Sequence, residues 1–179
     1  ISLKKNYGKG YAVRQGIKKV EGQYTIFIDS DLEYEPQDLF EMYNVVLKQK
    51  NIKVLYGSRN LGPKIQLRRY FLNAIAVKIN TFIFNFLFNQ SLTDLHTGSK
   101  IIENSLLSNL DLNTDGFGLE IVMSSEITKK EINIYEYGIS YLERTVEQGK
   151  KITFIDGIKS YYFLFRERFI KNDIFTKIS

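Results

Sequence analysis

The sequence predicts a single α/β domain built around a layered sheet. An apolar, β-branched run at 24–28 (YTIFI) is followed by a helix-like segment at 36–50, and a second run at 54–56 (VLY) precedes another long helix-like segment at 68–89. Two successive units of strand, polar tip and helix are typical of α/β layered sheets. The chain has 179 residues, 44% of them hydrophobic, which suffices for one domain with a sizeable core.

The composition restricts the chemistry that the chain can carry. With no cysteine and one histidine, the sequence excludes disulfides, thiolate catalysis and cysteine-based zinc sites. Any metal must be held by carboxylates, which favours Mg²⁺ or Mn²⁺ with substrate phosphates completing the ligand shell. The formal net charge of +5 suits a polyanionic ligand or an anionic membrane surface. Because Lys and Arg are scattered along the chain, no nucleic-acid partner is expected.

The first strand ends in acidic residues. Asp29, Asp31 and Glu33 follow the run at 24–28, at the sheet edge where open α/β sheets bind ligands. Alternation along an extended segment would turn the three carboxylates to the same side, and a divalent cation would relieve their repulsion. The open alternative is that these acids cap the helix beginning at Pro36.

The second strand ends in a basic residue. It closes with Gly57-Ser58-Arg59, so Arg59 lies at the same sheet edge as the acids. Arg144 and Lys150 lie in a polar loop near the end of the sheet region, and Arg is suited to bidentate capture of phosphate. Each of these residues is alternatively an ordinary surface charge.

A glycine-rich turn precedes a helix-like stretch that extends to residue 16. Gly8 and Gly10 permit close backbone approach, and Lys9 supplies positive charge near a phosphate. The spacing is not that of a Walker loop, and the alternative is a plain surface turn.

The segment 68–89 predicts a long helix with a wide apolar face. A membrane-spanning helix needs about 20 nearly uncharged residues, so we do not predict a span. Arg68 and Arg69 at one end favour an interfacial amphipathic helix, and the alternative is a core helix that covers the sheet. Polar residues interrupt the apolar stretch at helical spacing along one narrow stripe: Lys78, Thr81, Asn85 and Asn89.

The remaining elements complete one domain. We expect helices at 120–130 and 158–169 with two short strands within 132–141, so that residues 1–170 form the domain and 171–179 a C-terminal tail. Asp94, directly after the long helix, is either a base or a helix cap.

Seven collinear segments resemble the dolichyl-phosphate and undecaprenyl-phosphate sugar synthases of glycosyltransferase family 2. Together they cover nearly the whole chain. The segments are NYGKGYAVRQG (6–16), DSDLEYEPQDL (29–39), YGSR (56–59), LTDLHTGSK (92–100), DGFGLE (115–120), YEYGISYLERTVEQGKKI (135–152) and DGIKS (156–160).

This resemblance implies a GT-A fold, which is a Rossmann-like α/β domain. It implies inverting transfer of a monosaccharide from a nucleotide sugar, GDP-mannose or a UDP-sugar, to a polyprenyl phosphate. By resemblance, Asp31, Arg59 and Asp94 are catalytic. The other implied roles are donor binding by Gly8, Lys9, Gly10, Asp29 and Asp31, coordination of Mg²⁺ or Mn²⁺ by Asp29, Asp31 and Glu33, and binding of the acceptor phosphate by Arg59, Arg69, Arg144 and Lys150.

The chain departs from the family pattern in several places. Family members begin with strands that hold the nucleotide base, so we expect an N-terminally truncated domain that is inactive alone. Val122 stands where a second glutamate is usual, Gly138 replaces a proline, and Ser99 replaces an aromatic residue.

We expect a peripheral protein at the cytoplasmic face of the membrane. The alternatives are a family 2 enzyme of surface polysaccharide synthesis and a truncated, non-catalytic membrane-binding module.

Overall fold

The computed structural model describes residues 2–116, 118–145, 147 and 154–170. The predicted C-terminal tail at 171–179 and Lys150 lie outside these residues. The helices are α1 (Lys9–Ile17), α2 (Pro36–Lys48), α3 (Phe71–Phe88), α4 (Asn104–Leu107), α5 (Leu119–Lys129) and α6 (Phe154–Phe165), which continues into a π-helical turn (Arg166–Ile170). The strands are β1 (Tyr24–Phe27), β2 (Val54–Ser58), β3 (Gln66–Leu67), β4 (Lys100–Glu103), β5 (Tyr135–Gly138) and β6 (Tyr141–Leu142).

The main sheet has four strands in the order β1-β4-β2-β5. Strand β4 is antiparallel to both β1 and β2, whereas β5 is parallel to β2. Because β1 and β2 are each antiparallel to the strand between them, they run in the same direction. Their carboxyl ends therefore lie at one edge of the sheet, as the sequence predicts for the acids and Arg59.

A second sheet of two parallel strands lies beside this edge. It pairs Gln66 of β3 with Tyr141 of β6 and Leu67 with Leu142. This pairing holds the segment after β2 against the segment after β5.

The core has layers on both faces of the main sheet. Val54 and Tyr56 pack with α5 on one face, whereas Leu55 packs with Met42 and Val46 of α2 on the other. This division follows from the alternation of side chains along β2. A third cluster fills the space among α3, α5 and α6. The predicted α/β layered architecture is therefore confirmed.

Helix α3 turns two residues of its predicted polar stripe, Thr81 and Asn85, toward the protein, whereas Lys78 and Asn89 are exposed. Thr81 is buried, and Asn85 exchanges two hydrogen bonds with the backbone of Leu92, at 2.8 and 3.0 Å. The helix is long and apolar enough to cross a membrane, with a mean hydropathy of 1.5, and only 17% of its 18 residues are buried. The outward face is an apolar row of exposed side chains: Ile75, Ile79, Phe82 and Phe86.

Candidate functional site

Asp29 lies directly after β1 in a closely packed position. Its carboxylate is 2.7 Å from the ammonium group of Lys9, and its side chain is 35% exposed. A Cβ atom at residue 98 would overlap this carboxylate, so Gly98 provides the space that Asp29 occupies. The backbone N–H of Gly98 donates a hydrogen bond to the hydroxyl of Tyr34, at 2.9 Å.

The prediction that three carboxylates converge is wrong. Leu32 adopts a φ of 63°, which ends the extended alternation on which that prediction depends. Glu33 is buried and accepts hydrogen bonds from the hydroxyl of Tyr141, at 2.7 Å, and from the backbone of Arg144, at 3.0 Å. Across the described residues, no three His, Cys, Asp or Glu side chains are grouped to hold a metal ion.

The acids do not cap the following helix either. Helix α2 begins after Glu35, whose side chain makes no capping hydrogen bond. Asp31 instead pairs with the guanidinium of Arg144, at 3.1 Å. Asp29 and Asp31 are thus each neutralised by a basic side chain from another part of the chain.

The glycines of the first loop fit against the protein's own backbone. Gly8 has a φ of 94°, and Cβ atoms at Gly8 and Gly10 would overlap the carbonyl oxygens of Asp115 and Thr114. The N–H of Gly10 also donates to the carbonyl of Asp115, at 3.0 Å. The expected close approach is therefore made to the segment before α5, and Lys9 at the start of α1 is directed toward the acids.

Arg59 and Asp94 form a buried, bidentate ion pair. The Nε and Nη2 atoms of Arg59 lie 2.6 and 2.8 Å from the two oxygens of Asp94, and the backbone N–H of Arg59 adds a third bond at 3.1 Å. The Asp94 side chain is fully buried. Burial alone would raise the pKa of this carboxyl, but the charge and hydrogen bonds of Arg59 outweigh it and hold the pKa below its usual value.

This pairing determines what Asp94 can do. No helix begins at Asp94, so it is not a helix cap. A carboxylate with a lowered pKa and both oxygens bound to an arginine is a weak proton acceptor, so the alternative of a base is also disfavoured. Asp94 instead fixes the guanidinium of Arg59.

The loop that carries Asp94 is held from two sides. Glu136 of β5 accepts hydrogen bonds from the backbone N–H groups of Thr93 and Asp94, at 2.8 to 3.0 Å. From α3, Asn85 holds Leu92 as described above. Burial raises the pKa of the Glu136 carboxyl, although these hydrogen bonds oppose the shift.

Three predicted arginines meet along the segment 141–144. The guanidinium of Arg59 lies over the ring of Tyr141, 4.9 Å from its centroid. Arg69 donates from Nε to the carbonyl of Glu143, at 2.9 Å, and Arg144 follows directly. This segment connects the arginines to the acids through the contacts of Arg144 with Asp31 and Glu33.

A small cavity beside Asp29 contains charged residues that the sequence reasoning did not assign. Its volume is about 60 Å³, and Lys100 and Glu120 line it together with Lys9. Glu120 accepts a hydrogen bond from Lys9 at 2.7 Å, and burial lowers the pKa of Lys100 to about 8. The DGFGLE motif was the available signal for Glu120, but an acid in the first turn of a helix is too common to single out.

The departures from the family pattern have local packing reasons. Val122 lies in the hydrophobic core, where a carboxylate would be buried. A Cβ atom at Gly138 would overlap the carbonyl of Leu61. Ser99 is buried against the sulfur of Met42.

Residues 1–111 match the family described as Glycosyl transferase family 2. Glycosyltransferase AglJ of Haloferax volcanii is 24% identical over 177 residues, which cover 98% of this chain and 57% of that protein. Dolichyl-phosphate beta-glucosyltransferase of Saccharomyces cerevisiae is 27% identical over 172 residues, which cover 89% of this chain and 51% of that protein. The chain thus spans about half the length of these curated relatives.

Solved structures with the same fold include glucosyl-3-phosphoglycerate synthase of Mycobacterium tuberculosis. Its complex with phosphoglyceric acid superposes with a TM-score of 0.67 at 15% identity, covering 94% of this chain and 57% of that chain. A complex with Mn²⁺, UDP-glucose and phosphoglyceric acid gives a TM-score of 0.64 at 15% identity, covering 93% and 56%. The fold is GT-A-like, and the match over more than half of its residues means that the chain belongs to glycosyltransferase family 2.

Proposed function

We propose that the chain carries the catalytic site of a metal-dependent, inverting glycosyltransferase that moves a monosaccharide from a nucleotide sugar to a polyprenyl phosphate. The observation that carries the proposal is the junction at Arg144, where the acids after β1 meet the arginines along 141–144. One half of this site suits a metal-bound diphosphate and the other suits a phosphate acceptor. The yeast relative is named as a dolichyl-phosphate glucosyltransferase, which supports a lipid phosphate as the acceptor.

Asp29 and Asp31 are suitable ligands for Mg²⁺ or Mn²⁺. Their side chains are 35% and 26% exposed, and their carboxylates already form ion pairs with the basic side chains of Lys9 and Arg144. Two carboxylates completed by substrate phosphates are a common arrangement for Mg²⁺. A cation bound there would offset charge on the leaving nucleoside diphosphate, a UDP or GDP group. The fold relatives crystallised with Mn²⁺ or Mg²⁺ support this use of metal.

The donor diphosphate would also meet Lys9. This side chain lies beside Asp29, so it can add positive charge to the phosphates that the cation binds. Gly8 and Gly10 contribute by fixing the start of α1, through their close packing on the segment before α5.

The basic half of the site would align the acceptor. Arg59, Arg69 and Arg144 offer guanidinium groups of the kind that bind phosphate in a bidentate manner. Because a polyprenyl phosphate is already an anion near neutral pH, alignment and charge stabilisation can carry most of the catalysis. Asp94 acts in this scheme by holding Arg59 in a single orientation.

The exposed face of α3 supports action at a membrane. Phe82 and Phe86 are 71% and 80% exposed, and a lipid acceptor keeps its tail in the bilayer. An amphipathic helix lying in the interface would bring the site close to the acceptor's phosphate. We place this membrane at the cytoplasmic side, where nucleotide sugars are available.

A second candidate keeps the same site but changes the acceptor. The hexosyltransferase Agl6 of Haloferax volcanii, named for low-salt glycan biosynthesis, is 24% identical over 162 residues. These residues cover 88% of this chain and 38% of Agl6. An enzyme of surface polysaccharide synthesis would retain Asp29 and Asp31 but transfer sugar to a glycan.

A transfer assay tests the proposal. Membranes containing the full-length protein should transfer radiolabelled sugar from GDP-mannose or a UDP-sugar to polyprenyl phosphate only when Mg²⁺ or Mn²⁺ is present. Asp31→Ala should abolish transfer, whereas Glu21→Ala, which removes an exposed acid elsewhere, should not. Activity that survives EDTA would exclude the metal role, and transfer to a glycan but not to lipid would favour the second candidate.

Vesicle binding tests the membrane surface independently of catalysis. The double variant Phe82→Ser, Phe86→Ser should bind anionic vesicles roughly tenfold more weakly or worse, because two phenylalanines no longer enter the interface. Phe40→Ser is the matched control, since Phe40 is an exposed phenylalanine on α2. Equal loss in both variants would argue against a specific role for α3.

A further inference from the structure

Lys9 is shared between two carboxylates that belong to different elements. Its ammonium group lies 2.7 Å from Asp29, after β1, and 2.7 Å from Glu120, in the first turn of α5. The Glu120 side chain is only 12% exposed, whereas Lys9 is 41% exposed. A buried carboxylate thus anchors a cation whose other contact is a candidate metal ligand.

This arrangement creates a competition at Asp29. A divalent cation and the ammonium group of Lys9 would both bind the Asp29 carboxylate, so each weakens the binding of the other. An ammonium group has three N–H donors, and Glu120 retains one of them when Asp29 turns to the metal. Lys9 then stays at the donor site, with its remaining donors available to the diphosphate.

We propose that Glu120 is a positioning residue that holds Lys9 at the donor site and thereby sets the affinity of Asp29 for the divalent cation. The inference rests on the proposed function, since it takes Asp29 as a metal ligand. Glu120 would act on the metal site through Lys9, without contacting the metal itself. Without Glu120, the full charge of Lys9 would fall on Asp29 and obstruct the metal.

A purely structural role for Glu120 leads to a different expectation. Glu120 lines the same cavity as Lys100 and could serve only to compensate buried positive charge there. In that case the removal of either Lys9 or Glu120 would disturb the same packing. Both substitutions would then weaken metal binding.

Mn²⁺ binding to the 179-residue chain without nucleotide, measured by calorimetry or by electron paramagnetic resonance, separates the two roles. Lys9→Gln should bind Mn²⁺ roughly two- to fivefold more tightly, because Asp29 loses its competitor. Glu120→Gln should bind it more weakly by a similar factor. The double variant should resemble Lys9→Gln, since Glu120 acts only through Lys9.

Matched controls exclude general charge and folding effects. Arg14→Gln removes a positive charge from the same helix, but Arg14 bonds Asp115 and the carbonyl of Leu112, so Mn²⁺ affinity should change less than twofold. Glu120→Asp keeps the charge and should restore part of the affinity lost in Glu120→Gln. Lys9→Gln gives a clear answer even if Glu120→Gln fails to fold, because Lys9 is partly exposed.

The outcomes separate this inference from the function on which it rests. If the wild-type chain binds no Mn²⁺, or if Asp29→Asn leaves binding unchanged, the metal assignment fails and the role of Glu120 fails with it. If Asp29→Asn abolishes binding but Lys9→Gln weakens or does not change it, only the role of Glu120 is overturned. Tighter Mn²⁺ binding by Lys9→Gln together with weaker Mn²⁺ binding by Glu120→Gln supports the proposed role of Glu120.

Discussion

The pair of Arg59 and Asp94 is the most consequential contact between individual residues in the site. Its members come from segments 35 residues apart, and two side-chain bonds and one backbone bond join them in a buried position. A buried pair of this kind is weak evidence for stability, because desolvation offsets much of the attraction. Its clearest effect is to limit Arg59 to one orientation.

Breaking this pair should destabilise the protein strongly. Asp94→Ala leaves the guanidinium of Arg59 buried without its counter-ion, which typically costs about 3 to 5 kcal/mol of unfolding free energy. Urea unfolding monitored by circular dichroism would measure the change. The double variant Arg59→Met, Asp94→Leu should regain much of the loss, and an equal loss in the single and double variants would contradict this account.

His96 should make stability depend on pH. Burial lowers its pKa from 6.5 to about 4, and its Nε2 atom has no hydrogen-bond partner among the described residues. Between these values the unfolded chain binds a proton that the folded chain does not, so the unfolding free energy falls as the pH is lowered from about 6.5 to about 4. Urea unfolding at several pH values should show this decline, and it should be smaller in His96→Gln.

At the residue scale, the sequence predicts which side chains matter better than it predicts how they are used. Arg144 pairs with Asp31, and Arg59 lies over Tyr141 in the same segment, whereas Asp29 pairs with Lys9. The sequence pattern could not reveal that Leu32 turns the chain before Glu33, because a left-handed leucine has no local signal. Nor could it identify Glu120, whose partner Lys9 is 111 residues away.

Helix α3 is the element that connects the outer surface to the site. Asn85 bonds both the N–H and the carbonyl of Leu92, and Thr81 accepts a longer bond from Leu95, at 3.3 Å. Leu92 and Leu95, which make these hydrogen bonds, lie on either side of Asp94 in the sequence. The orientation of the loop that carries Asp94 therefore depends on the position of α3.

Asn85→Ala should weaken this loop. It removes both hydrogen bonds to Leu92 and leaves its backbone groups without those partners, at a typical cost of about 1 to 3 kcal/mol. Thermal unfolding would measure the stability, and the transfer assay should also show reduced activity, because Asp94 and Arg59 lose their fixed position. Lys78→Ala is the control on the exposed side of the same helix, and an equal effect there would contradict a specific role for Asn85.

The long elements are predictable from the sequence, and among the short strands the prediction of two within 132–141 agrees with β5 and the start of β6. Helices α2, α3 and α5 begin and end within about three residues of the predicted positions, because their apolar periodicity extends over several turns. Strand β3 has only two residues, which is too short for any pattern. Strand β4 is not predicted from the sequence, because it is short and its first residue is a buried lysine, Lys100.

At the scale of the whole molecule, one edge of the main sheet is unprotected. Strand β1 pairs only with β4 within the described part of the chain, so its other side presents free backbone groups. Ile26 is 41% exposed on this strand, and Ile28 just beyond it is 44% exposed. An apolar edge strand of this kind can pair with another chain.

The isolated 179-residue chain should therefore self-associate. Light scattering after size-exclusion chromatography should detect species larger than the monomer at micromolar concentration. Ile26→Lys should shift the chain toward the monomer, because a charge on an edge strand opposes pairing. Ile65→Lys, at a more exposed isoleucine away from this edge, should not, and an equal response would assign the association to another surface.

The overall architecture follows from a few features of the sequence, whereas the path of the chain across the site does not. The strand at 24–28 and the helices after it predict the α/β layers because each buries one face. The antiparallel position of β4 between β1 and β2 depends on pairings between residues far apart in the sequence, such as Leu55 with Ile101. Local propensity carries no information about such pairings.

The inward direction of Thr81 and Asn85 on α3 would limit how deeply the proposed interfacial helix can enter a lipid layer. To cross the bilayer, α3 would have to withdraw Asn85 from Leu92 and Thr81 from Leu95, and these amide and hydroxyl groups would then meet hydrocarbon. Insertion of α3 across the bilayer would therefore release the loop that carries Asp94 from its contacts with the helix. On the proposed function, α3 would lie along the interface with its apolar row toward the lipid, while Asn85 and Thr81 keep its other side on the loop that carries Asp94.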